Sequence, residues 1–410
     1  MHPFEQNLEK YAELAIKVGI NLQKGQKLVI VAPISCADFV RKAALKAYEA
    51  GALDVYVDWE DDQLKKIRFH HAPDEAFELY PMWKANGFEE LAKENAAFLT
   101  VYAPNAELYK DVKAERLTTA NKTASAANQA YKDYMRSGKV SWLMVSIPTP
   151  EWSAKVFPEM DEQERIDRLW EQIFKLTRVD ADNPVEAWRA HIADLVKKQQ
   201  LLNGKRYHKL HLKAPGTSLS VELPEKHQWV SAGMTNAKGD YFVPNLPTEE
   251  VFTLPVKEGV NGTVTSTKPL SYNGSLIDNF AFTFINGRIT EVHAEQGEEI
   301  LRKLLDVDAG TRYLGEIALV PHDSPISNSN LIFYNTLFDE NASCHLAIGS
   351  AYPFCIEGGT EMSKEELEAN GYNTSLLHID FMIGSPDMEI DGETRDGIRE
   401  PLFRKGNWVV

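Results

Sequence analysis

Residues 27–58, KLVIVAPISCADFVRKAALKAYEAGALDVYVD, read as strand, helix, strand. Lys27–Ala32 is a short apolar run rich in β-branched residues, the pattern of a buried strand. Asp38–Ala50 reads as a helix, and Gly51 stands where a left-handed cap would end it. Leu53–Asp58 (LDVYVD) is the next strand. Strands separated by helices of this length imply βαβ units and a parallel sheet.

The same alternation extends both ways. Upstream, Phe4 to Gly19 carries Leu8, Tyr11, Ala12, Ala15 and Ile16 at helical spacing, and Gly25 marks a turn. Downstream, Ala97–Tyr102 and Val140–Ile147 are two more strands with helices between. Met160–Leu176, with Asp161 placed to cap it, and Val185–Leu202 are further helices. Asn203-Gly204 then breaks the pattern, and the period changes from 3.6 to 2. His208–Lys213, Ser218–Leu223, Val251–Pro255, Gly262–Thr267, Ala281–Ile285 and Arg288–Ala294 are short alternating segments. The Asn286-Gly287 pair predicts a hairpin between the last two, and Gly297–Asp306 a short helix. The expected architecture is an α/β N-terminal domain with a parallel sheet, residues 1–203. A β-rich (α+β) C-terminal domain, residues 204–410, follows as a twisted sheet or barrel. No internal repeat or low-complexity tract occurs.

The 410 residues exceed one ordinary domain, and 43% hydrophobic with 25% charged residues is a globular composition. A net charge of −16 repels phosphate backbones and anionic lipid, which argues against nucleic-acid and membrane-surface partners. The three cysteines, Cys36, Cys344 and Cys355, form no CxxC pair and suit a reducing compartment. With neither a signal-peptide pattern nor a run of 18 apolar residues, the expected location is cytoplasmic.

Several familiar chemistries have no support. GxGxxG after a strand, a Walker A loop, HExxH and GxSxG are all absent. What stands out lies in the second half. In Leu376–Gly384, LLHIDFMIG, strand alternation points His378 and Asp380 one way and Leu377, Ile379 and Phe381 the other. A divalent ion explains an imidazole and a carboxylate together beside apolar neighbours; so does a buried His–Asp hydrogen bond that only supports structure. The pair alone does not choose. Phe338–Pro353, FDENASCHLAIGSAYP, adds Asp339, Glu340, His345 and Tyr352. Glu340 and His345 share a cavity only if the chain bends at Asn341–Ser343, and a solvated acidic turn is the plainer reading. Tyr352 shares a face with His345 on a helix but not on a strand. Alternation also separates Glu249 from Glu250 in Pro247–Pro255, PTEEVFTLP, so one is expected to be solvated and the other to face inward. Glu316 opens the apolar strand GEIALV and must be exposed, protonated or coordinated. Cys344, beside His345, reads as a small buried residue, with a zinc ligand as the alternative.

Four segments in this order, NLPTEEVFTLP, GEIALVP, FDENASCHLAIGSAYP and LLHIDFMIG, resemble the aminopeptidase T family of bacterial metallo-aminopeptidases, the PepS/AmpS-like enzymes. The resemblance covers the whole chain. It implies a two-metal aminopeptidase, a homodimer, acting on peptides with a free N-terminus. It implies Glu250 rather than Glu249 as a metal ligand, Glu316 as the carboxylate shared by the two ions, and Glu340, His345, His378 and Asp380 as the other ligands. It makes Tyr352 the candidate transition-state donor. Such residues suit zinc, cobalt or manganese, with a metal-bound hydroxide as nucleophile and Glu316 or another carboxylate moving the proton. A dinuclear amidase or carboxypeptidase is the competing enzyme reading. A binding protein with one structural metal is the non-enzymatic one, disfavoured because structural zinc sites favour cysteine.

Overall fold

The computed structural model describes residues 3–103, 105, 108–109, 111–272 and 275–410. The chain divides into two compact units, Met1–Ala190 with Gly233–Leu246, and His191–Ala232 with Pro247–Val410.

The first unit is built on a five-stranded sheet in the order Asn245–Leu246, Trp142–Ser146, Ala97–Tyr102, Lys27–Pro33, Asp54–Glu60. All its pairings are parallel, as strands joined by helical crossovers require. The two-residue strand at its edge was not expected, because so short a segment carries no periodicity. Helix Ala37–Glu49 is followed by Gly51 at φ +95°, the left-handed position that only glycine adopts without strain. Asp161 caps helix Glu162–Leu176 by accepting from the Glu164 amide at 2.9 Å.

Helix Pro184–Lys205 runs past the Asn-Gly pair expected to break it. Asn203 is held in the last turn by two bonds to one residue. Its amide donates to the Trp229 carbonyl at 3.0 Å, and its oxygen accepts from the Trp229 amide at 2.8 Å. Two such bonds, each contributing about 0.5–1.5 kcal/mol, offset the propensity deficit of the Asn-Gly pair, roughly 1.5 kcal/mol. The change to strand follows at Lys209.

The second unit holds two antiparallel sheets. One has nine strands, among them Lys209–Ala214, Thr217–Glu222, Val260–Thr265 and Ser275–Ile285. In its hairpin between Ser275–Ile285 and Arg288–Gln296, Asn286 and Gly287 have φ of +47° and +76°, the type I′ signature. A Cβ on Gly287 would lie 1.8 Å from the Lys257 carbonyl, so no other residue fits. The other sheet has five strands, in the order His378–Met382, His345–Gly349, Leu314–Leu319, Val251–Thr253, Val230–Ser231. One face of this smaller sheet supplies Val251, Ile317, Leu319, Leu346, Ile348 and Phe381 to the core of the unit. Phe381 meets Phe280 and Phe282 of the larger sheet at ring distances of 5.6 and 5.3 Å. Among the described residues, no helix is long and apolar enough to cross a membrane.

Candidate metal centre

The other face of the five-stranded sheet carries the acids and histidines, and its register explains how. Glu316 pairs with Ala347, which pairs with Asp380. Phe252 pairs with Ala318, which pairs with His345. His378 pairs with Gly349. Paired residues point the same way, and so do residues two apart on a strand. Glu316, His345, Ala347, His378 and Asp380 therefore share one face, while Ile317, Leu346, Ile348, Ile379 and Phe381 take the other.

Glu316 needs a device to reach that face. Leu314 lies two residues before it and is core, so simple alternation would point Glu316 into the core as well. The pairing register shifts between Leu314 and Glu316. This bulge turns the strand and re-aims the carboxylate. It sits at Gly315, where a Cβ would come within 2.4 Å of the Ser350 carbonyl.

The result is a pair of triads that share one residue. His345 Nε2 lies 3.2 Å from Glu250 Oε2 and 3.4 Å from Glu316 Oε1. His378 Nε2 lies 3.6 Å from Glu316 Oε2 and 3.4 Å from Asp380 Oδ1. Within each set, Glu250/Glu316/His345 and Glu316/His378/Asp380, the donor atoms lie within 4.8 Å of one another. The two oxygens of Glu316 thus face two different sets. His378 Nδ1 is 2.6 Å from the Ser350 carbonyl and His345 Nδ1 is 3.3 Å from the Ser343 carbonyl. A carbonyl only accepts, so each Nδ1 carries a proton and each ring turns its Nε2 toward the carboxylates, the nitrogen that would be deprotonated to ligate a cation.

This donor set fits divalent cations. Among the described residues, buried Asp380 Oδ1 has the long 3.4 Å approach of His378 Nε2 and no closer hydrogen bond, an expensive condition that coordination relieves. Burial pushes the Glu316 carboxyl up to about 7, with Glu250 and Asp380 adding repulsion and the two histidines opposing it. Burial alone would lower His378, but Asp380 and Glu316 raise it to about 10. Burial likewise opposes the charged form of His345, yet Glu250, Glu316 and Asp380 drive its pKa well above the usual range. Without a cation, protons have to neutralise the crowded carboxylates. Mixed imidazole and carboxylate donors suit zinc, cobalt or manganese.

Glu340 and Tyr352 stand beside the triads. Glu340 opens a 3₁₀ turn, Glu340–Ala342, that bends the chain before His345. Its carboxyl is outside the two triads, but burial and then Asp380 and Glu250 raise its pKa well above normal. Tyr352 follows the strand rather than lying on it. Gly349 ends the strand at φ +100° and redirects the chain. The Tyr352 ring then comes to 4.8 Å from that of His378, although strand parity would put it on the far side. Burial and the nearby carboxylates keep its phenol protonated.

Three neighbours take their part only in the folded chain. One of Glu249 and Glu250 was expected to be solvated, and neither is: Glu249 is buried 3.4 Å from His191 Nε2, while Glu250 faces His345. Asn341 accepts the Glu249 amide at 2.7 Å and donates to the Leu337 carbonyl at 3.2 Å, tying the Glu250 segment to the Glu340 turn. Ala347 lies between Glu316 and Asp380 across the strands, on the face the ligands share, and is fully buried there. Its smallness was visible in LAIG, but its position was not. Cys344 is a small buried residue whose thiol donates to the Val320 carbonyl.

Known proteins resemble this chain over its full length. The family described as thermophilic metalloprotease (M29) matches residues 4–408. "Aminopeptidase 2" of Geobacillus stearothermophilus is 55% identical over 409 residues, covering 100% of this chain and 99% of that one. "Aminopeptidase T" of Thermus thermophilus is 44% identical, with 100% of both chains covered. The solved structure of wild-type AmpT from Thermus thermophilus superposes with a TM-score of 0.93 at 43% identity, covering 99% of this chain and 100% of that one. With matches of this extent over both units, the chain belongs to the M29 family of metalloproteases.

Proposed function

We infer that the protein is a metallo-aminopeptidase, hydrolysing peptides from a free N-terminus with two divalent cations. The carrying observation is Glu316, whose Oε1 and Oε2 face His345 and His378 respectively. A carboxylate can bridge two cations, whereas an imidazole offers one lone pair to one. Glu250 and His345 would complete one position, His378 and Asp380 the other, and Glu340 would be the remaining ligand. When bound, two such cations activate a water as nucleophile at neutral pH and polarise the scissile carbonyl.

The chain's own groups do the rest. The protonated Tyr352 phenol donates a hydrogen bond to the oxyanion that forms at that carbonyl. Glu316 or another carboxylate of the cluster carries the proton to the leaving amine. The acidic surround attracts the substrate's ammonium group. A cytoplasmic location fits the three free cysteines, all buried. A homodimer rests on the family resemblance and is checked by sedimentation.

The test is chelation followed by add-back of zinc, cobalt or manganese on aminoacyl chromogenic substrates, with metal content measured in parallel. Activity should return as bound metal approaches two ions per chain. Equal hydrolysis of N-acetylated peptides, or full activity with one tightly held ion, overturns the reading.

A further inference from the structure

Three aromatic side chains stand on the ligand-bearing side of the smaller sheet. Phe252 lies two residues after Glu250 and pairs with Ala318, which places it on the same face as His345. Its ring meets those of Tyr352 and Phe354 at 6.1 and 6.2 Å, steeply inclined at 66° and 76°. Tyr352 and Phe354 stack at 5.1 Å and 15°. The three rings form two walls of a corner, and its Tyr352 end is 4.8 Å from the His378 ring. All three remain only partly buried, packed at the back on Leu254, Ala351, Cys355 and Ile356. Apolar surface left partly open beside a cluster of carboxylates calls for an occupant.

We propose that the Phe252–Phe354 corner receives the side chain of the substrate's N-terminal residue and gives the enzyme a preference for bulky apolar residues there. This rests on the aminopeptidase reading. In a peptide so bound, the amine, the first Cα and the scissile carbonyl are consecutive, and the first side chain leaves from the Cα between them. With the carbonyl at the metal cluster, that side chain begins within a few bonds of His378. The aromatic corner starts within that reach. A leucyl, methionyl or phenylalanyl side chain buries apolar surface against the rings, at roughly 25 cal/mol per Å². An alanyl side chain is too short to reach far into the corner. A glutamyl side chain would bring a further charge to apolar walls beside four carboxylates.

The experiment uses the metal-loaded enzyme with leucyl, phenylalanyl, alanyl and glutamyl p-nitroanilides. Wild type is compared with Phe354→Ala, Phe252→Ala and the milder Phe252→Leu, with metal content and melting temperature measured for each. Removing a ring should lower kcat/KM on leucyl and phenylalanyl substrates by about 10- to 100-fold and change the alanyl value by less than about threefold. Phe252→Leu should fall between and keep normal metal content. Parallel losses on all four substrates, or unchanged selectivity in metal-loaded variants, overturn the proposal. A wild-type enzyme inert on every substrate instead overturns the aminopeptidase reading beneath it.

Discussion

The two faces of the five-stranded sheet are made by alternate residues of the same strands, yet they obey opposite rules. On one face Ile317, Leu346, Ile348 and Phe381 are nearly or wholly inaccessible and packed on a second sheet. There the hydrophobic effect decides the sequence, and shape is the main demand. On the other face Glu316, His345 and Asp380 are almost as inaccessible, but burial costs them free energy. That face stays folded because the apolar one anchors it. It also has a use for the cost, since desolvated, mutually repelling carboxylates are strong cation ligands. Core and site are thus a single structure, and stability invested on one side holds strained electrostatics on the other.

Substitutions can break this pairing in graded ways. Glu316→Gln should have the largest effect, because it removes the carboxylate common to both triads. Turnover should vanish and metal stoichiometry should fall; near-normal activity would exclude bridging. Ala347→Leu comes next. It adds bulk between Glu316 and Asp380 without touching a ligand, so calorimetry should record weakened metal binding by a chain with ordinary circular dichroism. Unchanged affinity would mean that a small side chain is not needed at Ala347. Tyr352→Phe should lower kcat by about 10²–10³ with metal content intact. A change confined to KM would assign the tyrosine to substrate positioning instead.

On the apolar face the signature should invert. Leu346→Ala should cost about 2–5 kcal/mol of stability while the folded fraction keeps wild-type kcat. Lost catalysis at full metal loading would deny the division of labour between the faces. The smallest effect is in pH. In the metal-free protein Glu316 is raised to about 7 and His378 to about 10. Each holds its proton more tightly folded than unfolded. Their contribution is complete below the unfolded pKa and is lost as pH rises through the folded value. The melting temperature of metal-free protein should therefore fall from about pH 4.5 to 7 through Glu316, then on toward pH 10 through His378. Metal affinity should rise over the same interval, because the ligands must shed protons. A metal-free protein whose melting temperature rises with pH would contradict both shifts.

Local pattern was enough for much of the fold. The βαβ unit at residues 27–58, the Asp161 cap and the Asn286-Gly287 turn depend on neighbours in the chain, where periodicity and backbone preference act directly. His378 and Asp380 were legible for the same reason, being two apart on one strand. Other features had no local cause. Asn203 and Gly204 stay helical because Trp229 is there to hold Asn203. The edge strand Asn245–Leu246 exists only through its pairing with Met144 and Val145.

The acids and histidines themselves, and their order along the chain, were plain in the sequence and sufficed for the family resemblance. Their convergence was not plain. Glu250 facing His345 while Glu249 faces His191, Glu316 turned outward by the bulge at Gly315, and Tyr352 brought round by Gly349 are outcomes of register between strands far apart in sequence. Alternation along one strand tells which residues share a face. Only pairing across strands tells which faces meet, because long-range contacts are set by packing of the whole unit rather than by any one segment.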